Sequence, residues 1–238
     1  MTGAAGTGPS RESLTGVRAC VFDAYGTLLD IASAGRRCAD MLGDRADQVT
    51  AAWRTRQLTY AWLSSLMGIH RDFWRVTEDA LDMTLAEAGI TSEMLRARLL
   101  AQYRVLDAFP DTRPALTELR GRGLPLAILS NGTPEMLRAS LDSASLADLF
   151  DAVLSVESAG IYKPHPDVYR LACDQFYLPP DAICFVSSNY WDVSGASVFG
   201  YRTVWLNRTG ERPDRLPGRP AAVIGSLADL PGLLGAVV

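Results

Sequence analysis

Two hydrophobic rhythms run along this chain. Short, largely apolar runs occur at 17–22, 124–129, 150–154, 182–186, 203–206 and 222–224. Runs of this length without polar alternation predict strands buried on both faces. Between the later runs the apolar spacing is helical. One helix is predicted over 114–122 and ends at Gly123. A second opens at Thr133-Pro134-Glu135, a capping residue followed by a proline, and reaches about Leu141. A third covers 166–176. Strand–helix alternation of this length predicts an α/β fold with a doubly wound, Rossmann-like parallel sheet. After the first strand the rhythm changes. From 32 to 106 the spacing predicts helices only: 48–67, with Trp53, Leu58, Ala61, Trp62 and Leu66 in register; 71–89, ended by Gly89; and 91–106, capped by Thr91 with Glu93 in its first turn. An all-helical block inserted there predicts a cap over the carboxyl ends of the strands. The expected division is a disordered leader over 1–16, a core of 17–32 and 108–238, and a helical cap over 33–107.

Composition narrows the function classes. The chain has 238 residues, 48% hydrophobic and 21% charged, enough for one sizeable core and a smaller second unit. A net charge of −4 does not favour nucleic acid or an anionic membrane as partner. No apolar run is long enough to span a bilayer. The opening MTGAAGTGPSRESLTG lacks the apolar centre of a signal peptide, so a cytoplasmic protein is expected. Cys20, Cys38, Cys173 and Cys184 show no metal-ligand spacing and read as buried, reduced thiols; His70 and His165 read as loop or surface residues. Lys and Arg total 23, and Lys163 is the single lysine, leaving 22 arginines. In an arginine-biased chain a lone lysine points to a position needing a compact, tunable charge.

Polar clusters gather where strands end or helices begin: Asp23 to Thr27, Ser130-Asn131, Lys163, and Ser187 to Asp192. Taken alone, a strand-terminal Asp23 reads as a turn cap. In a parallel sheet, however, the first, second and fourth clusters converge at one edge, where α/β folds bind ligands. One carboxylate able to attack, one ammonium, hydroxyl and amide donors and a second carboxylate, Asp192, are the parts of covalent catalysis by an aspartate nucleophile.

The segments FDAYGTL, LSNG, YKP and SSNYWD, in this order, resemble the four motifs of the haloacid dehalogenase superfamily. Within it they are more similar to the L-2-haloacid dehalogenases than to the phosphatases, and WRTRQLTYAWLSSLM resembles that family's first long cap helix. Phosphatases of the superfamily carry a second Asp two residues after the nucleophile as acid for the leaving oxygen; Tyr25 stands there. They hold magnesium with an acidic last motif; Ser187 and Ser188 stand there, and only Asp192 remains. The resemblance therefore implies a site without metal or cofactor. Asp23 would attack the halogen-bearing carbon from behind, and water would then hydrolyse the Asp23 ester to release the D-2-hydroxy acid. Lys163 would hold Asp23 ionised, and Thr27 would steady its loop. Asp192, with Asn189, Ser187 and Lys163, would prepare the water. Ser130, with backbone amides near Ala24 and Tyr25, would hold the substrate carboxylate, aided by the helix start beyond it. Arg54, with Asn131, would receive the halide; Phe73, Trp191 and Tyr25 would wall the pocket. Tyr169 matches a position implicated in this family.

Other readings stay open at this level. Arg54 is one of 22 arginines, and by composition alone it reads as a solvated helix face; only the resemblance gives it a role. Ser130 and Asn131 read equally as helix caps, Tyr169 as a packing residue, and Trp53, Tyr60, Trp62 and Trp74 as core. A strained ring amine acid such as azetidine-2-carboxylate could replace the haloacid, a phosphatase is the third reading, and a non-catalytic binding scaffold the fourth. The expected partners are a small haloacid and a second copy of the chain, since homodimers are common in the resembling family.

Overall fold

The structure is a computed structural model and describes residues 14–234. In chain order the strands are β1 (Ala19–Phe22), β2 (Leu29–Asp30), β3 (Asp107–Ala108), β4 (Leu126–Ser130), β5 (Ala152–Ser155), β6 (Ile183–Ser187), β7 (Arg202–Leu206) and β8 (Ala222–Ile224). The helices are α1 (Ala32–Arg36), α2 (Ala39–Leu42), α3 (Ala46–Leu66), α4 (Phe73–Glu87), α5 (Glu93–Tyr103), α6 (Thr112–Gly121), α7 (Pro134–Ser143), α8 (Pro166–Phe176), α9 (Tyr190–Phe199) and α10 (Leu230–Leu233).

All six apolar runs enter one parallel sheet in the order β5-β4-β1-β6-β7-β8. Every residue of β1, β4 and β6 is buried, which explains why these runs lack alternation. The topology places β1 between β4 and β6, with Cys20 level with Leu126 on one side and Cys184 on the other. Asp23, Asn131 and Ser188, each one residue beyond its strand, therefore leave the sheet side by side. This is the α/β architecture expected, a Rossmann-like sheet flanked by helices and carrying a helical cap.

The caps and prolines act as the sequence implies. The Thr133 hydroxyl accepts from Met136 N and Pro134 occupies the first turn of α7. The third cap helix starts later than expected: Ser92, not Thr91, accepts from Leu95 N. The antiparallel β2/β3 ribbon and the short α1 and α2 were not anticipated, because two- to five-residue elements carry no period. Leu66, placed by spacing on the packed stripe of α3, is 83% exposed and lies beside exposed Leu63, Met67 and Ile69.

Of the expected leader, residues 1–13 lie outside the described residues. Leu14 belongs to the fold instead: it is buried, and its N–H donates to Leu233 O at 2.8 Å. Burying an apolar side chain beside a paired backbone is what a disordered tail cannot do. Among the described residues, no helix is long and apolar enough to cross a membrane.

Candidate active site

The loop after β1 is wound tightly. The Ala24 carbonyl accepts from both Leu28 N and Leu29 N at 3.0 Å. Gly26 sits at φ +87°, where a side chain is strained, and a Cβ there would meet Ser188 Oγ at 3.4 Å. This turn brings Thr27 back over Asp23. The Thr27 hydroxyl donates to Asp23 Oδ2 at 2.9 Å and accepts from Ser188 N at 2.9 Å, tying the β1 loop to the β6 loop.

Asp23 is 5% exposed and has partners from three parts of the chain. Oδ2 accepts from Thr27 and from Asn189 Nδ2, both at 2.9 Å. Oδ1 accepts from Lys163 Nζ at 3.2 Å. With a single protein donor, Oδ1 keeps lone-pair capacity. Lys163 is 1% exposed, lies 5.0 Å from the Phe185 ring centroid, and donates also to Asp192 Oδ2 at 2.9 Å. The other oxygen of Asp192 accepts from the Tyr169 hydroxyl at 2.8 Å. One ammonium thus stands between two buried carboxylates.

Burial pushes the Asp192 carboxyl up to about 6; Lys163 opposes this, and the Asp23 charge adds to it. Asp192 is therefore charged above about pH 6 and neutral below. Turnover should fall about tenfold per pH unit on the acid side of 6, and Asp192→Asn should remove that limb while lowering the plateau. A kcat profile flat from pH 7 to 5 would contradict this. For stability the sign is opposite. Folding raises this pKa, so the contribution is present at low pH and is lost as pH rises from the ordinary aspartate range through about 6.

The fourth cluster divides differently from expectation. Asn189 reaches Asp23 and, at 3.4 Å, the Tyr25 carbonyl, while Asp192 turns to Lys163 and Tyr169. The Ser187 hydroxyl accepts from Asn189 N at 3.1 Å, so it shapes the loop that aims Asn189. Ser130 Oγ accepts from Gly132 N at 3.2 Å, and Asn131 Oδ1 accepts from Lys163 N at 3.2 Å. The Ser130 proton and the Asn131 amide hydrogens are engaged by no other described group, and no described backbone carbonyl accepts from the N–H of Ala24 or Tyr25. Donors without acceptors beside a carboxylate, at the start of α7, suit an anion.

Above this edge lies an aromatic wall. Tyr25 is stacked on Tyr103, with centroids 5.6 Å apart, and lies 6.4 Å from Phe73. Burial holds the Tyr25 phenol neutral, far above its ordinary range. Among the described residues its hydroxyl has no hydrogen-bond partner: neighbouring Ser140 donates to Arg104 O instead. Gly132 lets this ring approach, since a Cβ there would stand 2.7 Å from Tyr25 Cε2. Phe73 is fully buried against Tyr25 and Tyr162, whereas Trp191 is half-buried, edge-on to Trp62 at 5.3 Å. Arg54 is half-buried on α3. Its charge and that of Asp23 both act on the hydroxyls of Tyr25 and Tyr103. An apolar groove of about 880 Å³, lined by Trp62, Leu66, Trp191 and Val198, reaches Lys163 from the side.

Sequence reasoning passed over Ser188 as a partner of Thr27, and over Gln57 and Tyr103 near Arg54. It also passed over Arg208, which donates to Thr27 O at 3.0 Å and grips Asp111 at 2.7 and 2.9 Å. Only Gln57 carried a local signal, its three-residue spacing from Arg54 along one helix.

A strand-end aspartate, a lysine bridging it to a second carboxylate, and a helical cap define an aspartate-based hydrolase of the haloacid dehalogenase type. The chain matches the haloacid dehalogenase-like hydrolase family over residues 17–200. It is 44% identical over 219 residues to (S)-2-haloacid dehalogenase 1 of Pseudomonas sp. strain CBS-3, covering 92% of this chain and 96% of that one. A crystal structure of a dehalogenase with an intermediate complex superposes with a TM-score of 0.91 at 42% identity, covering 94% and 99%. The L-2-haloacid dehalogenase of Xanthobacter autotrophicus with chloropropionic acid covalently bound gives 0.86 at 37% identity, covering 91% and 98%. The chain belongs to the haloacid dehalogenase-like hydrolases, in the family of the (S)-2-haloacid dehalogenases.

Proposed function

We propose that this protein hydrolyses the carbon–halogen bond of short L-2-haloalkanoic acids and releases D-2-hydroxy acids. The observation that carries the reading is the buried Asp23, which accepts hydrogen bonds from Lys163, Thr27 and Asn189. An Asp23 carboxylate oxygen attacks the substrate carbon opposite the halogen. The carbon–halogen bond breaks, its electron pair leaves with the halogen as halide, and an ester forms with inversion at that carbon. Water adds to the Asp23 side-chain carbonyl, and cleavage of the acyl–oxygen bond restores the carboxylate and frees the hydroxy acid and one proton. In the ester Asp23 carries no charge, so Lys163 pairs with Asp192 alone, and Asp192 serves as the base that takes up the proton of the water.

Ser130 and the amides of Ala24 and Tyr25 form the receptor for the substrate carboxylate, and Arg54, with Asn131, takes the halide. Residues 33–107 serve as the cap that closes over them, with Phe73, Tyr25 and Trp191 as apolar walls. A halide needs no proton on departure, which fits Tyr25 at the place where a phosphatase keeps its acid. Lys163 supplies the positive charge between Asp23 and Asp192, so the chemistry as proposed uses no metal. Similarity to haloacid dehalogenases favours carbon–halogen cleavage over opening of a ring amine.

The deciding experiment is halide release from L- and D-2-chloropropionate with a chelator present. Rapid release from the L form alone supports the reading; dependence on magnesium, or release from the D form only, overturns it. The same reading includes the expected cytoplasmic location and a homodimer. The exposed Leu63, Leu66, Met67 and Ile69 on and just beyond α3 support the dimer, which sedimentation of a 25.8 kDa monomer would remove.

A further inference from the structure

The cap holds a polar network that the reaction as described leaves unused. Gln57 is fully buried at the meeting of α3, α4 and α5. A buried amide among apolar helices is costly unless its hydrogen bonds are met, and here they are. Gln57 Oε1 accepts from Arg54 at 2.8 Å and from the Tyr103 hydroxyl at 3.1 Å. Its Nε2 donates to Thr77 Oγ1 at 2.6 Å, and the Thr77 hydroxyl donates onward to Phe73 O at 2.6 Å. Donor logic permits one orientation. A guanidinium cannot accept, so the oxygen must face Arg54; the Thr77 proton is spent on Phe73, so the amide NH2 must face Thr77.

The network ends on site residues in each direction. Tyr103 and Phe73 flank Tyr25, and Arg54 shares the Gln57 oxygen with the Tyr103 hydroxyl. A free arginine on a cap helix samples many rotamers, whereas one held by a fixed acceptor presents its remaining donors in a single direction.

We propose that Gln57 is a positioning residue that aims Arg54 at the departing halide, with Thr77 fixing the amide's orientation. This rests on the reading of Arg54 as halide receptor. A chloride, the poorer leaving group, depends more on that help than a bromide does. Misplacing an assisting group by about 1 Å costs on the order of a hundredfold.

The test compares L-2-chloropropionate with L-2-bromopropionate in Gln57→Met, which keeps volume and removes the acceptor. We expect kcat for chloride to fall about 10- to 100-fold, with a clearly smaller loss for bromide. Thr77→Val, close in shape, should shift the ratio in the same direction by less, which covers the case of a poorly folded Gln57→Met. Added to Arg54→Ala, the Gln57 change should cost less than about twofold further. Equal losses for both halides in both variants, or full multiplication with Arg54→Ala, would overturn the proposal. If Arg54→Ala itself leaves the chloride-to-bromide ratio unchanged, the halide reading of Arg54 fails. Non-additivity then still supports Gln57 acting through Arg54, and additivity overturns it.

Discussion

Asp23→Asn abolishes halide release, with kcat lowered by about four to six orders of magnitude, the range seen when a nucleophile is removed. An amide oxygen does not displace a halide, and Asp192 does not substitute for it, being fully buried with its two oxygens engaged by Lys163 and Tyr169. The fold should survive. The asparagine oxygen can keep the bonds from Thr27 and Asn189, while its NH2 turns toward Lys163, which retains Asp192. The loss of one charge-assisted hydrogen bond costs about 1–3 kcal/mol, measurable by denaturant unfolding. In the wild type, a single turnover in water enriched in heavy oxygen should label Asp23 first and the product only in later turnovers. Label arriving directly in the product, or substantial activity in Asp23→Asn, would rule out the ester.

Lys163→Met has the second largest effect, and it acts on stability and catalysis together. The ammonium is the shared partner of Asp23 and Asp192. Its removal leaves two buried carboxylates facing each other without a cation, at a cost of about 3–5 kcal/mol. One of them must then take up a proton. Lys163 opposes the upward shift of Asp192, so without it that carboxyl rises further above 6 and the acid limb of the pH profile moves toward neutrality. A kcat loss of about 10²- to 10⁴-fold should accompany this. Lys163→Arg should not restore activity, because a planar fork cannot occupy a point between two carboxylates against the Phe185 ring. Wild-type stability and rate in Lys163→Met would mean that the bridging ammonium has no function.

The ammonium also shows where sequence and structure divide. Lys163 stands out along the chain because every other lysine or arginine position is arginine and because it sits in the YKP segment. Neither feature says which carboxylates it meets. It reaches Asp23, 140 residues away, because its backbone N–H bonds to Asn131 at the end of β4. The aspartate is the opposite case. An apolar run, then a carboxylate, then a left-handed glycine turn, can only deliver Asp23 at a strand end. Local physics decides that much: continuous apolar residues require burial on both faces, and the turn needs Gly26.

The same division holds through the site. The helix starts at Thr133 and Pro166, the helical block between β2 and β3, and the polar clusters at strand ends are written in short-range pattern. Their physical basis, capping and periodic burial, spans only a few residues. What patterns could not assign is partnership. Ser187, Asn189 and Asp192 look equivalent along the chain, yet β1 lying between β4 and β6 turns Asn189 to Asp23, Asp192 to Lys163, and Ser187 back to its own loop. Leu66 fits the apolar stripe of α3 and yet is exposed, because a stripe records spacing and not the length of the neighbour it packs on. Gln57 is one polar residue in a helix until α4 and α5 bring Thr77 and Tyr103 to its two ends. Hydrogen bonds between residues far apart in the chain depend on side-chain direction to within a few tenths of an ångström. That direction is set by how strands order and helices pack, so the chain alone names the reacting groups and only the fold pairs them.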